Sequence, residues 1–151
     1  MEQRPEESDS LSSSLAEWTL IPADGVDQVW SIAAPLLEKA TKRTRKIDLP
    51  SLLKSARDGL MQIWLAYDAE EEDVLAAAAT EMVTYSSGLK SARVILLGGR
   101  QLNRWSRLID IIENWALSEG CSTVEIVGRR GWEKVYPDYL PIEHWLSKEI
   151  A

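Results

Sequence analysis

Few side chains in this sequence are typed and spaced for chemistry. A single histidine, His144, and a single cysteine, Cys121, leave no plausible zinc set, so no metal site is expected. The chain contains no GxSxG elbow, no Walker A loop and no GxGxxG fingerprint. Two carboxylates stand in alternating stretches, Glu81 and Glu125. In such a place a carboxylate can act as a base or anchor an amine, or it can simply face water. Lys39, Lys42, Arg43, Arg45 and Lys46 form a dense basic run. It reads as a solvated helix end, where cations suit the negative end of the macrodipole. His144 lies in the last apolar stretch and reads as structural.

The elements that must position these residues fit within one ordinary domain of 151 residues. Hydrophobic residues make up 45% and charged residues 27%, the balance of a chain that folds around a core. The net charge of -7 and pI of about 4.8 argue against nucleic acid as a partner, since phosphate contacts need clustered cations. One cysteine excludes an internal disulfide framework and fits a reducing compartment. The start, MEQRPEESDSLSSS, lacks the basic and apolar order of a secretory signal, and no apolar run is long enough to span a bilayer. The expected location is therefore cytoplasmic, or inside a particle released from a cytoplasm.

Residues 1 to about 15 carry too little apolar surface to offset their ordering entropy and read as a flexible acidic, Ser-rich tail before a domain spanning 16–151. EWTLI, Glu17 to Ile21, is the first strand. Asp24 is placed to cap a helix whose apolar face is Val26, Val29, Trp30, Ala33 and Leu37, with a kink or break near Ser31 because Pro35 removes a backbone bond. Asp48 and Pro50 open a second short helix that Gly59 closes. Leu60 to Tyr67 is a strand, Glu70 to Asp73 a solvated turn, and VLAAAATEMVTY a second strand despite its alanines. Ala92 to Leu97 is a third, stopped by Gly98 and Gly99. Gln101 to Ser118 has the clearest helical period, through Trp105, Leu108, Ile109, Ile112 and Trp115. Thr123 to Val127 is a strand, a short helical piece runs to Val135, and Leu140 to Ile150 reads as an irregular terminal strand interrupted at Pro141. The strand–helix–strand step across 92–127 predicts a parallel pair joined by a right-handed crossover, after an antiparallel meander.

This order, with Val94-Ile95-Leu96-Leu97-Gly98-Gly99-Arg100, Trp105, Trp115-Ala116, Gly120-Cys121, Val124-Glu125-Ile126 and Gly128-Arg129-Arg130-Gly131-Trp132, resembles the GNAT (general N-acetyltransferase) superfamily. It is also similar to the divergent GNAT-like proteins of tailed phages and prophages. The resemblance implies an α/β fold: a mixed, mostly antiparallel twisted sheet with a parallel, splayed central pair and helices on both faces. It implies acetyl-CoA as acyl donor, with Leu96 and Leu97 along the pantetheine and Gly98, Gly99, Arg100, Gln101, Asn103 and Arg104 around the pyrophosphate. The family's glycine-rich cradle is altered here. In Arg100-Gln101-Leu102-Asn103-Arg104-Trp105, Asn103 and Trp105 take the places of small residues, so Trp105 must either obstruct phosphate or turn away. Gly98 and Gly99 either supply open backbone one turn earlier or merely end a strand.

By the same resemblance Tyr136 or Tyr139 would be the acid that protonates the leaving thiolate, with Glu81 or Glu125 as base or amine anchor. Tyr-Pro-Asp-Tyr is also ordinary turn and packing chemistry. The implied function is acetyl transfer to a small amine or a protein amine in a bacterial host. The alternative is a non-catalytic GNAT-like component of a phage virion or head, with phage structural proteins as partners. Several exposed tryptophans among the seven would favour that alternative.

Overall fold

A computed structural model describes residues 15–151. The acidic tail expected at the N-terminus lies outside the described residues as far as residue 14.

Five strands form one sheet in the order β1-β2-β3-β4-β5: β1 Glu17–Ile21, β2 Gln62–Asp68, β3 Asp73–Thr84, β4 Lys90–Gly99 and β5 Thr123–Ile126. The first four pair antiparallel, β2 to β4 as a meander, and β5 joins β4 in parallel. Helices α1 (Val26–Thr41) and α2 (Leu49–Arg57) cover one face, and α3 (Asp110–Ser118) with the short α4 (Trp132–Val135) lies on the other. This is the mixed sheet, covered on both faces, that the sequence implied.

Strand alternation divides the core cleanly. Ile63, Leu65, Ala77, Ala79 and Leu96 meet Val26, Ala33, Leu37, Leu52 and Ala56 beneath α1 and α2. Trp18, Trp64, Ala66, Ala76, Ala78 and Val94 meet Ile109, Ile112 and Tyr136 on the α3 face. Ala76 to Ala79 are completely buried, which explains why a stretch with helical propensity is a strand: burial on both faces overrides a few tenths of a kcal/mol per residue.

Five expectations need correction. Asp24 does not cap α1. Pro22 starts a 3-10 turn over Ala23–Gly25, so Gly25 occupies the cap position and no side chain bonds there. Pro35 does not break α1, which runs unbroken to Thr41. Its ring and Ser31 both face solvent, where water can take the carbonyl that the missing N–H leaves free. Gly98 and Gly99 do not stop β4 at Leu97; they pair with Ala77 and Ala76 as its last two residues. The helix expected from Gln101 begins only at Asp110, after 3-10 turns over Leu102–Arg104 and Ser106–Ile109.

Lastly, Leu140 to Ile150 forms no strand. Pro141 cannot donate to a ladder, and the segment is held instead against the α1–α2 loop by the Arg45–Glu149 ion pair and by Lys46, 4.3 Å from the Trp145 ring. The parallel β4–β5 pair therefore ends the sheet rather than lying within it, and the outer edge of β5 is free among the described residues.

The remaining turns follow their sequence signals. Asp48 accepts from the Ser51 amide at 2.9 Å, with Pro50 in the first turn of α2. Gly59 and Gly120 take the left-handed conformation after their helices, at φ 76 and 87.

Candidate active site

The two parallel strands pair over only four residues each, Ser91 to Val94 with Thr123 to Ile126. The Val127 amide makes a last bond to the Val94 carbonyl at 2.9 Å, and β4 then continues alone to Gly99. Ile95, Leu96 and Leu97 consequently have no strand partner on their β5 side. A cleft follows this parting. Leu96 and Leu97, Gly128 to Arg130, the α1–α2 loop, and Asp138 to Trp145 line it.

One residue before the strands part, register brings four side chains together on the α1/α2 face. Glu81 on β3 lies opposite Arg93 on β4, which lies opposite Glu125 on β5. The guanidinium of Arg93 is 3.5 Å from Glu81 and 3.4 Å from Glu125. The Tyr85 hydroxyl donates to Glu125 at 2.8 Å. That bond raises the Tyr85 phenol above its ordinary value, because it stabilises the protonated form. Glu125 is thus held by two partners, while Glu81, one-third exposed and lining the cleft, is paired with Arg93. Sequence reasoning singled out the two glutamates but not Arg93 or Tyr85. The cross-strand register that joins them has no linear signature.

Tyr136 and Tyr139 lie across the sheet, on the α3 face. Burial pushes the Tyr136 phenol well above its usual range, and its hydroxyl is buried without a hydrogen-bond partner. Its ring stacks on Trp132 at 6.0 Å. Tyr139 borders the cleft and donates to Glu113 at 2.5 Å; burial first, and this bond second, drive its phenol strongly upward. The structure therefore does not gather Glu81, Tyr136 and Tyr139 into one cluster. Glu81 and Tyr139 flank the parted strands from opposite faces. His144 lines the same cleft from the terminal segment.

Several residues of the expected phosphate cradle have partners within the protein. A Cβ on Gly98 would fall 2.4 Å from the Leu36 carbonyl oxygen, so this glycine serves close packing of α1 on β4. On Gly99 it would fall 2.4 Å from the Leu75 carbonyl oxygen, and the Arg100 amide already bonds to that carbonyl at 2.9 Å. The Arg100 side chain pairs with Asp73 at 2.7 Å. Arg104 is drawn inward to buried Asp68 and bonds Gln101 at 2.7 Å. Trp105 turns away from solvent: its indole N–H donates to the Arg100 carbonyl at 2.9 Å, and its ring meets Trp18 edge-on at 5.5 Å. Asn103 remains exposed.

No protein-family model matches the chain, and no curated protein matches it in sequence. Solved structures do match in fold. A ribosomal-protein-alanine N-acetyltransferase from Brucella melitensis biovar Abortus 2308 superposes with a TM-score of 0.61 at 17% identity, covering 89% of this chain and 99% of the other. A predicted acetyltransferase with acetyl-CoA from Clostridium acetobutylicum gives 0.61 at 14% identity, covering 89% and 96%. Glucosamine-6-phosphate N-acetyltransferase from Arabidopsis thaliana gives 0.60 at 10%, covering 89% and 98%. The chain has the fold of the GNAT acetyltransferases. Among the described residues no helix is long and apolar enough to cross a membrane, and no group of side chains could hold a metal ion.

Proposed function

We propose that this protein is an acyl-CoA-dependent N-acyltransferase that carries an acetyl group to the amine of a small molecule or of a protein. One observation carries the reading: β4 and β5 part immediately beside Glu81, leaving unpartnered strand backbone and a carboxylate on the same cleft. The fit to acyl-CoA is divided. The free β4 backbone at Leu96 and Leu97 suits the amide-bearing pantetheine arm, whereas Arg100 and Arg104 of the expected cradle are engaged by Asp73 and Asp68.

Acyl-CoA supplies an activated thioester carbonyl; the protein's own residues hold the acceptor and move protons. In this account the Glu81 carboxylate takes the proton from the incoming ammonium, freeing the lone pair that attacks. Arg93 fixes Glu81 and Glu125 in register, and Tyr85 steadies Glu125. Tyr139, on the other side of the parted strands, is the acid assigned to the leaving thiolate; burial and its bond to Glu113 hold the phenol strongly upward, so that bond must open before the proton is delivered. The structural neighbours are named for an alanine of a ribosomal protein and for glucosamine 6-phosphate, both of which present amines.

A second reading rests on the terminal segment. Leu140, Ile142, Trp145, Leu146 and Ile150 are exposed, Leu146 by 97%, and together form an apolar surface suited to assembly. On that reading the chain is a non-catalytic component of a phage virion or head. Trp145 is the one exposed tryptophan; Trp18, Trp64 and Trp105 are buried, and Trp30, Trp115 and Trp132 half-buried.

The two readings are separated by incubating the protein with acetyl-CoA and a panel of amines and lysine peptides. The expected result is amine-dependent release of the CoA thiol with an acetylated product seen by mass spectrometry. Release no faster than in buffer for every acceptor, from protein that forms higher-order particles, would transfer support to the assembly reading.

A further inference from the structure

We propose that Arg129 and Arg130, in the loop between β5 and α4, form the site for the phosphate groups of the acyl-CoA ligand, in place of Arg100 and Arg104, which are engaged elsewhere. The inference rests on the acyl-CoA reading above. Both arginines are exposed and line the cleft at the point where β5 has left β4, on the side opposite Leu96 and Leu97. In doubly wound and related sheets, ligands bind outside the carboxyl ends of parallel strands where the chain diverges, and this loop leaves the carboxyl end of β5.

The two arginines of the expected cradle are committed elsewhere. Arg100 is paired with Asp73 at 2.7 Å, and Arg104 is buried against Asp68. Neither Arg129 nor Arg130 enters an ion pair among the described residues, so both guanidinium groups are available to an anion. A planar guanidinium presents paired donors that match two phosphate oxygens at once, which a lysine cannot do.

The loop is also held in place. A Cβ on Gly128 would lie 3.0 Å from two atoms of the Trp132 indole, so Trp132 packs directly over the Gly128 backbone. The Trp132 and Glu133 amides bond back to the Arg129 and Arg130 carbonyls at 3.2 and 3.0 Å. The Arg129 guanidinium rests 5.6 Å from the Trp132 ring, and Trp132 in turn stacks on Tyr136. This arrangement lowers the ordering cost of presenting both charges to a ligand.

The test is calorimetric titration of the full chain with CoA and, separately, with pantetheine, which lacks the phosphates. Arg129→Ala and Arg130→Ala are each expected to weaken CoA about tenfold at low salt, and the pair about a hundredfold, as for loss of one charge-assisted contact each. Pantetheine affinity should be unchanged in the same variants, which a general loss of fold would not allow. Arg100→Ala should leave CoA binding unchanged. If Arg100→Ala weakens CoA and the double variant does not, the arginine-pair inference is overturned while the acyl-CoA reading survives. If neither CoA nor pantetheine binds the unaltered protein, the acyl-CoA reading fails and the inference falls with it.

Discussion

Asp68→Ala is expected to lower the free energy of unfolding by about 3–5 kcal/mol, the usual loss when one partner of a buried ion pair is removed. The Asp68 side chain is 1% exposed and that of Arg104 10%, so Arg104 would stay charged and desolvated after losing its buried carboxylate, with the more exposed Glu71 at 3.9 Å. Asp68 also accepts from the Glu70 amide at 3.0 Å, holding the turn into β3, and that bond would be lost as well. Replacing both partners, as Asp68→Leu with Arg104→Met, should cost much less, because no unpaired charge remains buried. Urea denaturation of the three proteins measures the difference. A loss below about 1 kcal/mol for Asp68→Ala would place the pair in the class of solvated surface bridges and contradict its reading as a buried pair.

Glu81→Gln is expected to lower kcat for acetyl transfer by about 10²–10⁴-fold, the range for loss of a general base, with a smaller change in KM. The substitution keeps the shape of the side chain and its contact with Arg93 but removes the proton acceptor. Stability should change little, since Glu81 is one-third exposed and its one ion pair is long. Tyr85→Phe and Glu125→Gln act only through Arg93 and should each produce a smaller loss, whereas Tyr139→Phe tests the acid on the opposite face. The measurement is steady-state kinetics with the best acceptor from the amine panel. Retention of activity within twofold by Glu81→Gln, with a large loss in Glu125→Gln, would move the base to β5.

The strands were readable because burial on both faces leaves a local trace: β2, β3 and β4 all carry apolar residues at successive positions. So were Asp48, Gly59 and Gly120, whose side-chain or backbone chemistry acts within four residues. What could not be read depends on distant partners. Arg104 turns inward to Asp68, 36 residues earlier, and Trp105 to Trp18, 87 residues earlier, and the chain that carries them runs as two 3-10 turns rather than as regular helix. The apolar period of 101–118 contains no sign of this. Leu140 to Ile150 has a strand-like pattern, yet contacts with Lys46 and Arg45 hold it away from β5. The site divides in the same way: Glu81 and Glu125 stand out as lone carboxylates, while Arg93 reads only as the start of a buried strand until register sets it between them.

These two classes of residue bear differently on the fold and its use. The altered glycine-rich segment follows from packing: Gly98 against α1, Trp105 in the core, Arg104 in a buried pair. The cleft beside it comes from topology, because a four-residue β5 cannot follow a ten-residue β4 to its end. A chain can alter the first without losing the second.

The most direct test is chemical-shift mapping of ¹⁵N-labelled protein during titration with acetyl-CoA. Saturable shifts are predicted at the amides of Ile95, Leu96 and Leu97 and at Val127 to Arg130, with Gln101 to Trp105 nearly unmoved. Shifts centred on Gln101 to Trp105 would show that the cradle opens to phosphate, and the absence of any saturable shift at millimolar ligand would contradict the acyltransferase account.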